Sequence, residues 1–341
     1  MLFNKIAVLS STQMKNILFY LRLFYFLFAF GLNTTYAQIS SSTDLYSKKI
    51  NEDTTLNNKS YQYKNLKIKP KSSFKLSDSI RETSGLIAFD NLLWTHNDDH
   101  DKTIYGLDSL GKIKKKIILN QITNHDWEEI SQDSTHLYIG DFGNNFSGNR
   151  KDLSILKIGK KSFLEENPII ENISFSYSDQ TDFTKQKPNN TNFDCETFIT
   201  ANDSIYLFTK QWKSLKTSLY VLPNKPGNHI AQLKKTFDIK GLVTGVTYFE
   251  SKKLIILCGY SKKAKPFLYL LYDFKNNNFF SGNKQKIHLK LPFCQIEGIT
   301  TKDGLHYFVT NESLIRKPFL NIPQQIHYLD LSSVLNFYLH K

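Results

Sequence analysis

The stretch "WEEISQDSTHLYIGDF", residues 127–142, contains the pattern that decides the fold. An acidic start leads into a short apolar run, a polar turn follows, and a second apolar run ends in Gly and Asp. Two short apolar runs joined by a turn rich in Asp, Asn or Ser are typical of paired antiparallel strands. The stretch therefore predicts a β-hairpin.

The same pattern recurs four more times along the chain. The copies read "RETSGLIAFDNLLWTHND" at 81–98, "CETFITANDSIYLFTK" at 195–210, "VTGVTYFESKKLIILCGY" at 243–260 and "IEGITTKDGLHYFVTNE" at 296–312. The sequence alignment of the copies brings together Glu82, Glu128, Glu196, Thr244 and Glu297, at spacings of 46, 68, 48 and 53 residues. Repeats of this length, built from short strands, are typical of propeller blades.

A third and a fourth apolar run follow each hairpin except the last, which is followed by a third run alone. We therefore predict an all-β fold, a β-propeller of four-stranded blades. The copies indicate five blades, or six if one blade is too degenerate to recognise. The segment "SSFKLSD" at 72–78 precedes the first hairpin, where a fourth strand belongs. We expect this N-terminal strand to complete the last blade and close the ring, because closure removes exposed strand edges.

The beginning of the chain has the composition of an export signal. Residues 1–37 combine Lys15, an uncharged apolar run at 23–32 and a cleavage site after Ala37, which predicts a secretory signal peptide, with an uncleaved N-terminal anchor as the alternative. Residues 38–60 are polar and aperiodic and predict a disordered tether, so the single propeller domain is expected over 61–341. We expect an exported protein, periplasmic, on the cell surface or extracellular, with no membrane span after cleavage.

The chain has 341 residues and a formal net charge of +13. Its lysines are scattered at turns and strand ends, which favours a solvated surface, and no motif typical of RNA or DNA binding accompanies them. We therefore expect no nucleic-acid partner. Cys195, Cys258 and Cys294 lie in or beside apolar runs, so buried thiols are favoured over a disulfide framework.

The repeated acidic residues predict a site at one end of the propeller channel. The innermost strand of each blade begins beside the channel, and the loop after the second strand lies at the same face, so these side chains converge on one mouth. The residues expected there are Glu82, Glu128, Glu196, Glu297, Asp126, Asp194, Asn97, Asp141, Asn144 and Asn311. Converging carboxylates repel one another unless a cation neutralises them or protons are retained. Oxygen ligands favour calcium, with magnesium a poorer fit.

A structural role for the acidic repeat is the alternative. Each Glu could accept backbone N–H bonds from the next blade and hold the blades together without a ligand. The loop "HNDDHDK" at 96–102 places acidic residues at alternate positions like a calcium loop, but a solvated loop is favoured because Lys102 stands where an EF-hand has Gly. His125 and His96 are candidate general bases, although an isolated loop histidine more often has no catalytic role.

The motifs "DWEEI", "YIGDFGNN" and "DLSILKI" together resemble a group of secreted bacterial β-propeller proteins of uncharacterised activity, with D-W-E and Y-I-G-D-x-G-N-N signatures. The resemblance covers about 80–330 and rests chiefly on 81–158. More distantly, "RETSG", "CETF" and "IEGIT" are similar to blade starts in the gluconolactonase/paraoxonase and phytase-like esterase propellers. That resemblance implies calcium ligation by Glu residues at this position and hydrolysis of lactones or phosphoesters; Thr244 departs from the pattern.

The sequence is compatible with two functions. The first is a secreted propeller that binds a divalent cation at its mouth and hydrolyses a small ester, lactone or phosphoester, with the cation as Lewis acid. The second is a non-catalytic propeller that binds a small molecule, a glycan, a peptide or a partner protein on the same face, through aromatic residues such as Trp212 and Tyr260. In both cases we expect a monomer.

Overall fold

The computed structural model describes residues 66–316 and 318–339, which are mostly β-strand. The predicted leader, 1–37, and the predicted tether, 38–60, lie outside the described residues. No helix of the described part is long and apolar enough to cross a bilayer.

The strands form antiparallel units of four, numbered here as blades 1 to 5 in chain order. Blade 1 contains β3 (Thr83–Phe89), β4 (Leu92–Asn97), β5 (Thr103–Leu107) and β6 (Ile113–Ile118). Blade 2 contains β7 (Trp127–Gln132), β8 (His136–Asp141), β9 (Ser154–Gly159) and β10 (Ile170–Tyr177). Blade 3 contains β11 (Cys195–Ala201), β12 (Ser204–Thr209), β13 (Thr217–Pro223) and β14 (Gly227–Phe237).

Blade 4 contains β15 (Leu242–Phe249), β16 (Leu254–Tyr260), β17 (Pro266–Tyr272) and β18 (Asn283–Leu289). Blade 5 contains β19 (Ile296–Thr301), β20 (His306–Asn311), β23 (Gln325–Asp330) and, from the beginning of the domain, β2 (Ser72–Lys75). The remaining elements are β1 (Lys67–Ile68), α1 (Lys160–Leu164), a 3-10 turn (Glu250–Lys252), β21 (Leu314–Arg316), β22 (Leu320–Ile322) and α2 (Ser332–Leu339).

The first strand of every blade lies at the centre of the molecule. Strands β3, β7, β11, β15 and β19 contact one another in cyclic order, and β19 returns to β3. Their sequences explain this position, because β7 and β11 are buried on both faces while an outer strand such as β6 alternates buried and exposed residues. The predicted propeller of four-stranded blades is confirmed.

The N-terminal strand closes the ring, as predicted. Strand β2 pairs antiparallel with β23, from Ser72 opposite Tyr328 to Lys75 opposite Gln325. Just after it, Leu76 and Ile80 pack with Ile326 and residues of blade 1 in one hydrophobic cluster. Apolar burial across the junction therefore reinforces the backbone ladder.

The hydrophobic core is divided into five clusters, and each cluster lies between two consecutive blades. All three cysteines are buried in these clusters or beside them and are free thiols, as expected. Blades 2 and 3 have an additional connection, because β10 pairs parallel with β14 and joins both blades into one eight-stranded sheet. The hairpin of β21 and β22 is inserted between β20 and β23, next to the mouth face.

Candidate metal and ligand site

Three glutamates occupy the same position on the innermost strands of blades 2, 3 and 5. Glu128, Glu196 and Glu297 are each the second residue of their strand, and the pairing register shifts at that point in all three. A shift of this kind sets two residues opposite one and turns a side chain away from the regular pleat. All three side chains are buried and line a single cavity at the channel mouth.

The corresponding position in blades 1 and 4 has a hydroxyl residue that binds the neighbouring blade. The Ser84 hydroxyl donates to the carbonyl oxygen of Glu128 at 2.7 Å. The Thr244 hydroxyl donates to the carbonyl oxygen of Ile296. By contrast, neither Glu128 nor Glu297 accepts a hydrogen bond from a backbone N–H of a described residue. The two hydroxyls connect blades, whereas these glutamates leave carboxylate oxygens facing the cavity.

The residue just before each innermost strand forms a second ring around the mouth. Glu82, Asp126, Asp194 and Gln295 hold this position, and each accepts at its carbonyl oxygen an N–H from the loop after the second strand of its own blade. The strand register thus makes Glu82 equivalent to Asp126 and Asp194. The sequence alignment, which made Glu82 equivalent to Glu128, is wrong by two residues in blade 1. Glu82 is exposed, and its carboxylate lies near those of Asp98 and Asp99.

The loop residues of this ring differ from blade to blade. The donors are Asp98, Lys210 and Glu312 in blades 1, 3 and 5, and Gly143 in blade 2. A Cβ atom on Gly143 would lie 2.2 Å from Asp126 Oδ2 and 2.4 Å from Glu128 Oε1. The missing side chain therefore makes room for both carboxylates of blade 2.

Glu129, which the sequence did not single out, has the structural role considered above for the repeated acids. Its carboxylate accepts the Val246 N–H at 3.2 Å and the Thr197 hydroxyl, so it contacts the innermost strands of blades 3 and 4. The equivalent residues of other blades include Gly85 and Gly298, and a Cβ on Gly85 would lie 2.8 Å from Glu129 Oε1. Small neighbours thus leave space for one acidic side chain below the mouth.

The mouth cavity has a volume of about 240 Å³. It is lined by Thr83, Ser84, Asp98, Glu128, Asn145, Asn189, Glu196, Lys210, Trp212, Tyr260, Gln295, Glu297 and Glu312. Lys210 is the single basic residue of this lining, and its Nζ lies 2.9 Å from Glu196 Oε1. The same ammonium lies 4.6 Å from the ring centroid of Trp212 and 5.4 Å from that of Tyr260, within the range of cation–π attraction.

Burial and mutual repulsion favour the protonated form of the mouth carboxyls. Burial raises the pKa of Glu297 to about 8, and Glu312 raises it further while Lys210 opposes the shift. Burial, with Glu82 and Asp126 nearby, raises the pKa of Asp98 to about 8. The cavity therefore has more acidic groups than its one lysine can neutralise, and in the absence of a cation it retains protons near neutral pH.

Glu128, Asp194 and Glu196 form the tightest acidic group. Each offers one carboxylate oxygen, these oxygens lie within 4.8 Å of one another, and all three residues are buried. Burial raises the pKa of Glu128 well above its ordinary value, with Glu196 as the next cause, and burial raises the pKa of Glu196 to about 7 despite Lys210. Three buried oxygens at this spacing suit one hard cation.

Unpartnered polar atoms in the same cavity support a ligand site. Among the described residues, Glu297 Oε2 and the Tyr260 hydroxyl have no hydrogen-bond partner although both side chains are more than nine-tenths buried. Asp98 Oδ1 is also without a partner. Buried polar atoms normally find a partner, so these three atoms around one cavity are available to a ligand. Their chemistry fits an oxygen-binding cation, which bonds carboxylate and neutral oxygens alike.

Asp194 also positions other parts of the site. Its Oδ1 accepts the Asn144 N–H at 2.7 Å and its Oδ2 accepts the Trp212 indole N–H at 2.6 Å. Asp194 therefore fixes the loop of blade 2 and one aromatic wall of the cavity while one oxygen remains near Glu128 and Glu196.

Four ligands were predicted on the loops after the second strands, but Asn97, Asp141 and Asn311 are the last residues of β4, β8 and β20, and all four side chains have other partners. Asn97 donates to the carbonyl of Ser79, Asn144 donates to the carbonyl of Phe193, and Asn311 donates to the carbonyls of Glu312 and Pro323. Asp141 binds Arg150 at 2.8 Å and His125 at 3.2 Å. None of these four residues lines the mouth cavity.

The two candidate histidines also lie away from the cavity lining. His125 is exposed and faces Asp141. His96 is buried, donates from Nδ1 to the Asn97 carbonyl oxygen at 3.0 Å, and packs edge-on against Trp127. Burial lowers the pKa of His96 to about 4, so this imidazole is neutral at physiological pH. The role of general base stays a prediction for both.

Lys210 and Glu129 are the main site features that the sequence analysis missed. Lys210 ends "IYLFTK", where it resembles any strand-end lysine, and Glu129 stands beside the acid that the repeat selects. An available signal was the loop alignment, in which Lys210 takes the place that Asp98 and Glu312 hold in blades 1 and 5.

Comparison with known proteins shows similarity of fold alone. No known protein family matches the sequence, and no curated protein matches it either. A streptogramin B lyase structure is 12% identical, with 76% of this chain and 97% of that chain covered and a TM-score of 0.40. The PQQ-bound aldose sugar dehydrogenase from Streptomyces coelicolor is 10% identical, with 76% and 98% covered and a TM-score of 0.43. These neighbours are propeller-type proteins; the finer resemblances drawn from the motifs stay predictions.

Proposed function

We propose that this protein binds a divalent cation in the mouth cavity and uses it to capture a ligand there. The observation that carries the proposal is the imbalance of buried charge, with Glu128, Asp194, Glu196 and Glu297 gathered around Lys210. Glu128 and Glu196 are the principal cation ligands, and Glu297 lies on the far wall. Calcium fits best, because it accepts six to eight oxygen ligands in flexible geometry, whereas Mg²⁺ demands an octahedral set.

The proton balance of the cavity supports a cation. The raised pKa of Glu297 and of Glu196 means that folding costs free energy whenever both are ionised together. A divalent cation removes that cost by displacing the protons, so binding and proton release are coupled. When bound, the cation would supply positive charge that attracts an anionic or hydroxyl oxygen of the ligand.

Capture is better supported than catalysis. The two histidines predicted as general bases, His125 and His96, do not line the cavity, and the carboxylates that do line it are assigned to the cation. Trp212 and Tyr260 do line it, beside Lys210, so the polar cavity also offers aromatic surface to a ligand.

Hydrolysis of a small ester, lactone or phosphoester is the second candidate, favoured by the unpartnered Tyr260 hydroxyl in the cavity. It predicts calcium-dependent turnover of p-nitrophenyl acetate, of a γ-lactone or of p-nitrophenyl phosphate, and a loss of that turnover in Tyr260→Phe. Turnover at the rate of buffer alone for all three compounds would leave binding as the function.

Calorimetric titration of chelator-treated protein with Ca²⁺ tests the proposal directly. We expect one site, weaker binding of Mg²⁺, and a rise in Tm when Ca²⁺ is added. A hundredfold excess over Kd adds about 2.7 kcal/mol to the free energy of unfolding, or roughly 5 °C in Tm for a domain of this size. No heat of binding and equal Tm values in Ca²⁺ and in EDTA would contradict the proposal.

The proposal includes export, inferred from the leader in residues 1–37. Extracellular calcium modules work with a Kd of about 0.1–1 mM, which an exported protein can saturate. Fractionation of expressing cells, with detection of the chain in the periplasm, on the surface or in the medium, tests this part.

A further inference from the structure

A second groove adjoins the mouth cavity. Its volume is about 590 Å³, and it shares Asn189, Trp212, Tyr260 and Gln295 with the cavity. A ligand can therefore extend from one into the other while it contacts the same four side chains. A groove of this size lies in the range of pockets that hold a drug-sized ligand, and together with the cavity it accommodates a few units of a chain-like ligand.

The groove has the opposite charge to the cavity. Lys213, Lys262, Lys263 and Arg316 line it, all four are exposed, and its lining among the described residues contains no Asp or Glu. The acidic cavity and the basic groove thus form one continuous surface with a sharp change of sign. A ligand that fits both needs negative charge along the groove and an oxygen-rich end at the cation.

Uncharged features of the groove favour a carbohydrate. Trp212 forms the junction with the cavity, and Phe293 is 54% exposed in the groove wall. The amides of Asn189, Asn190 and Gln295 can pair with hydroxyl groups as donors and acceptors. Aromatic faces and side-chain amides together are suited to sugar rings.

We propose that the ligand is an acidic oligosaccharide that bears uronate carboxylates, bound with one end at the cation of the mouth and the rest along the basic groove. This inference rests on the proposed function, because the cation neutralises Glu128, Glu196 and Glu297, which would otherwise repel the ligand. The three lysines and Arg316 hold the remaining carboxylates. Hydroxyl and carboxylate oxygens of the sugar complete the coordination of the cation.

The test uses the full-length exported chain, calorimetry in 1 mM Ca²⁺ as a buffer condition, and a hexamer of galacturonic acid as the probe. A neutral hexamer of galactose and hexaglutamate are the comparison ligands. We expect the uronate hexamer to bind at least about tenfold more tightly than either comparison ligand. We also expect EDTA to weaken the binding of the uronate hexamer by a similar factor, because the acidic cavity without its cation repels the sugar carboxylate.

A matched pair of triple variants locates the binding. The groove variant is Lys213→Ala, Lys262→Ala, Lys263→Ala, and the control is Lys161→Ala, Lys234→Ala, Lys235→Ala, which removes the same charge from exposed positions that line neither the cavity nor the groove. Exposed ion pairs each contribute little, so we expect about a tenfold loss of affinity in the groove variant and an unchanged affinity in the control.

Three results would overturn the inference: no binding of the uronate hexamer, equal or tighter binding of hexaglutamate, or equal affinities in both triple variants. Calcium titration without sugar tests the cation site separately from the sugar ligand. If Ca²⁺ binds and the hexamer does not, the ligand class is wrong and the cation site stands. If the hexamer binds equally tightly in Ca²⁺ and in EDTA, the groove assignment stands and the placement of one end of the ligand at the cation is wrong.

Discussion

Lys210 Nζ lies 2.9 Å from Glu196 Oε1, and their side chains are 5% and 2% exposed. This ion pair brings the one basic group of the cavity lining into contact with one of three equivalent glutamates. Glu128 holds the same strand position in the preceding blade, and no basic side chain within 66–316 or 318–339 forms an ion pair with it. Two residues at the same repeat position therefore have different roles. Glu196 contributes both to stability and to the candidate site, whereas Glu128 contributes to the candidate site alone.

Glu128→Gln and Glu196→Gln separate these contributions. For Glu128→Gln we expect at least about a tenfold loss of Ca²⁺ affinity and an apo Tm that is equal or higher, because a neutral amide removes the cost of burying an ionisable group beside other acids. For Glu196→Gln we expect a loss of about 3 kcal/mol in the apo free energy of unfolding, because Lys210 loses its buried counter-ion. Chemical denaturation and calcium titration of both variants provide the measurements. Equal destabilisation of the two apo variants, with unchanged calcium affinity, would instead assign the acidic repeat to the support of the fold.

The apo protein should lose stability as the pH rises. The folded pKa values of Glu297 and Asp98 are about 8 and that of Glu196 is about 7, all above the values of an unfolded chain. Between roughly pH 4.5 and 8 the folded state therefore holds more protons than the unfolded state, so the free energy of unfolding falls with increasing pH over this window. We expect a drop in Tm of at least about 3 °C between pH 5.5 and 8.5 in EDTA, and a smaller drop in Ca²⁺. A parallel pH dependence with and without Ca²⁺ would contradict the coupling of these groups to the cation.

Gly143→Ala should weaken cation binding without unfolding the protein. The added Cβ would lie 2.4 Å from Glu128 Oε1 and 2.2 Å from Asp126 Oδ2, so both carboxylates must move. We expect about a tenfold loss of calcium affinity and a change in Tm of a few degrees at most. Gly159→Ala is the matched control, since its Cβ would meet Ser162 Oγ at an ordinary 3.5 Å. If Gly143→Ala and Gly159→Ala bind calcium equally well, the close contact of Gly143 with the two carboxylates does not matter for cation binding.

Glu129→Ala tests whether the deeper acid is structural. Truncation leaves the Val246 N–H and the Thr197 hydroxyl without the carboxylate that accepts them. We expect a loss of about 2–4 kcal/mol in the free energy of unfolding, because two buried donors lose their acceptor. Calcium affinity should match that of the unmodified protein, in contrast to Glu128→Gln. A stable variant with impaired calcium binding would reverse the two assignments.

Truncation tests the closure of the ring. A chain that begins after residue 79 lacks β2 and exposes the edge of β23, and it also lacks Leu76 from the hydrophobic cluster of that junction. We expect aggregation or a broad, weakly cooperative unfolding transition in this variant. A chain that lacks residues 38–60 should unfold like the full-length protein. Coincident thermal transitions of the two truncated proteins would show that β2 is dispensable.

The fold was predictable because the information is local and repeated. Five copies of a hairpin pattern predicted the paired strands. The last copy lacks a fourth strand, and "SSFKLSD" stands before the first hairpin, which together predicted how the ring closes. The parallel pairing of β10 with β14 was not predictable, because it depends on how far two outer strands extend beyond their own blades.

The site was predicted in part. Acidic spacing placed Glu128, Glu196 and Glu297 together, but it aligned Glu82 with them, because the sequence shows where an acid stands and not where a strand shifts its register. The predicted Asn ligands turn their amides to loop carbonyls, a choice set by backbone geometry. Lys210 escaped notice because a buried ion pair and a solvated lysine look the same in a sequence.

The eight-stranded sheet of blades 2 and 3 has a mechanical consequence. From Ile173 opposite Gly227 to Tyr177 opposite Ala231, backbone hydrogen bonds fasten the outer edges of these blades, whose inner strands are also in contact. Relative motion of two blades joined at both the hub and the rim is hindered, so blades 2 and 3 form one rigid unit. Glu128, Asp194 and Glu196 all lie on that unit, so their mutual spacing is set by the fold. Glu297 and Asp98 lie on blades 5 and 1, which have no such backbone pairing at the rim among the described residues.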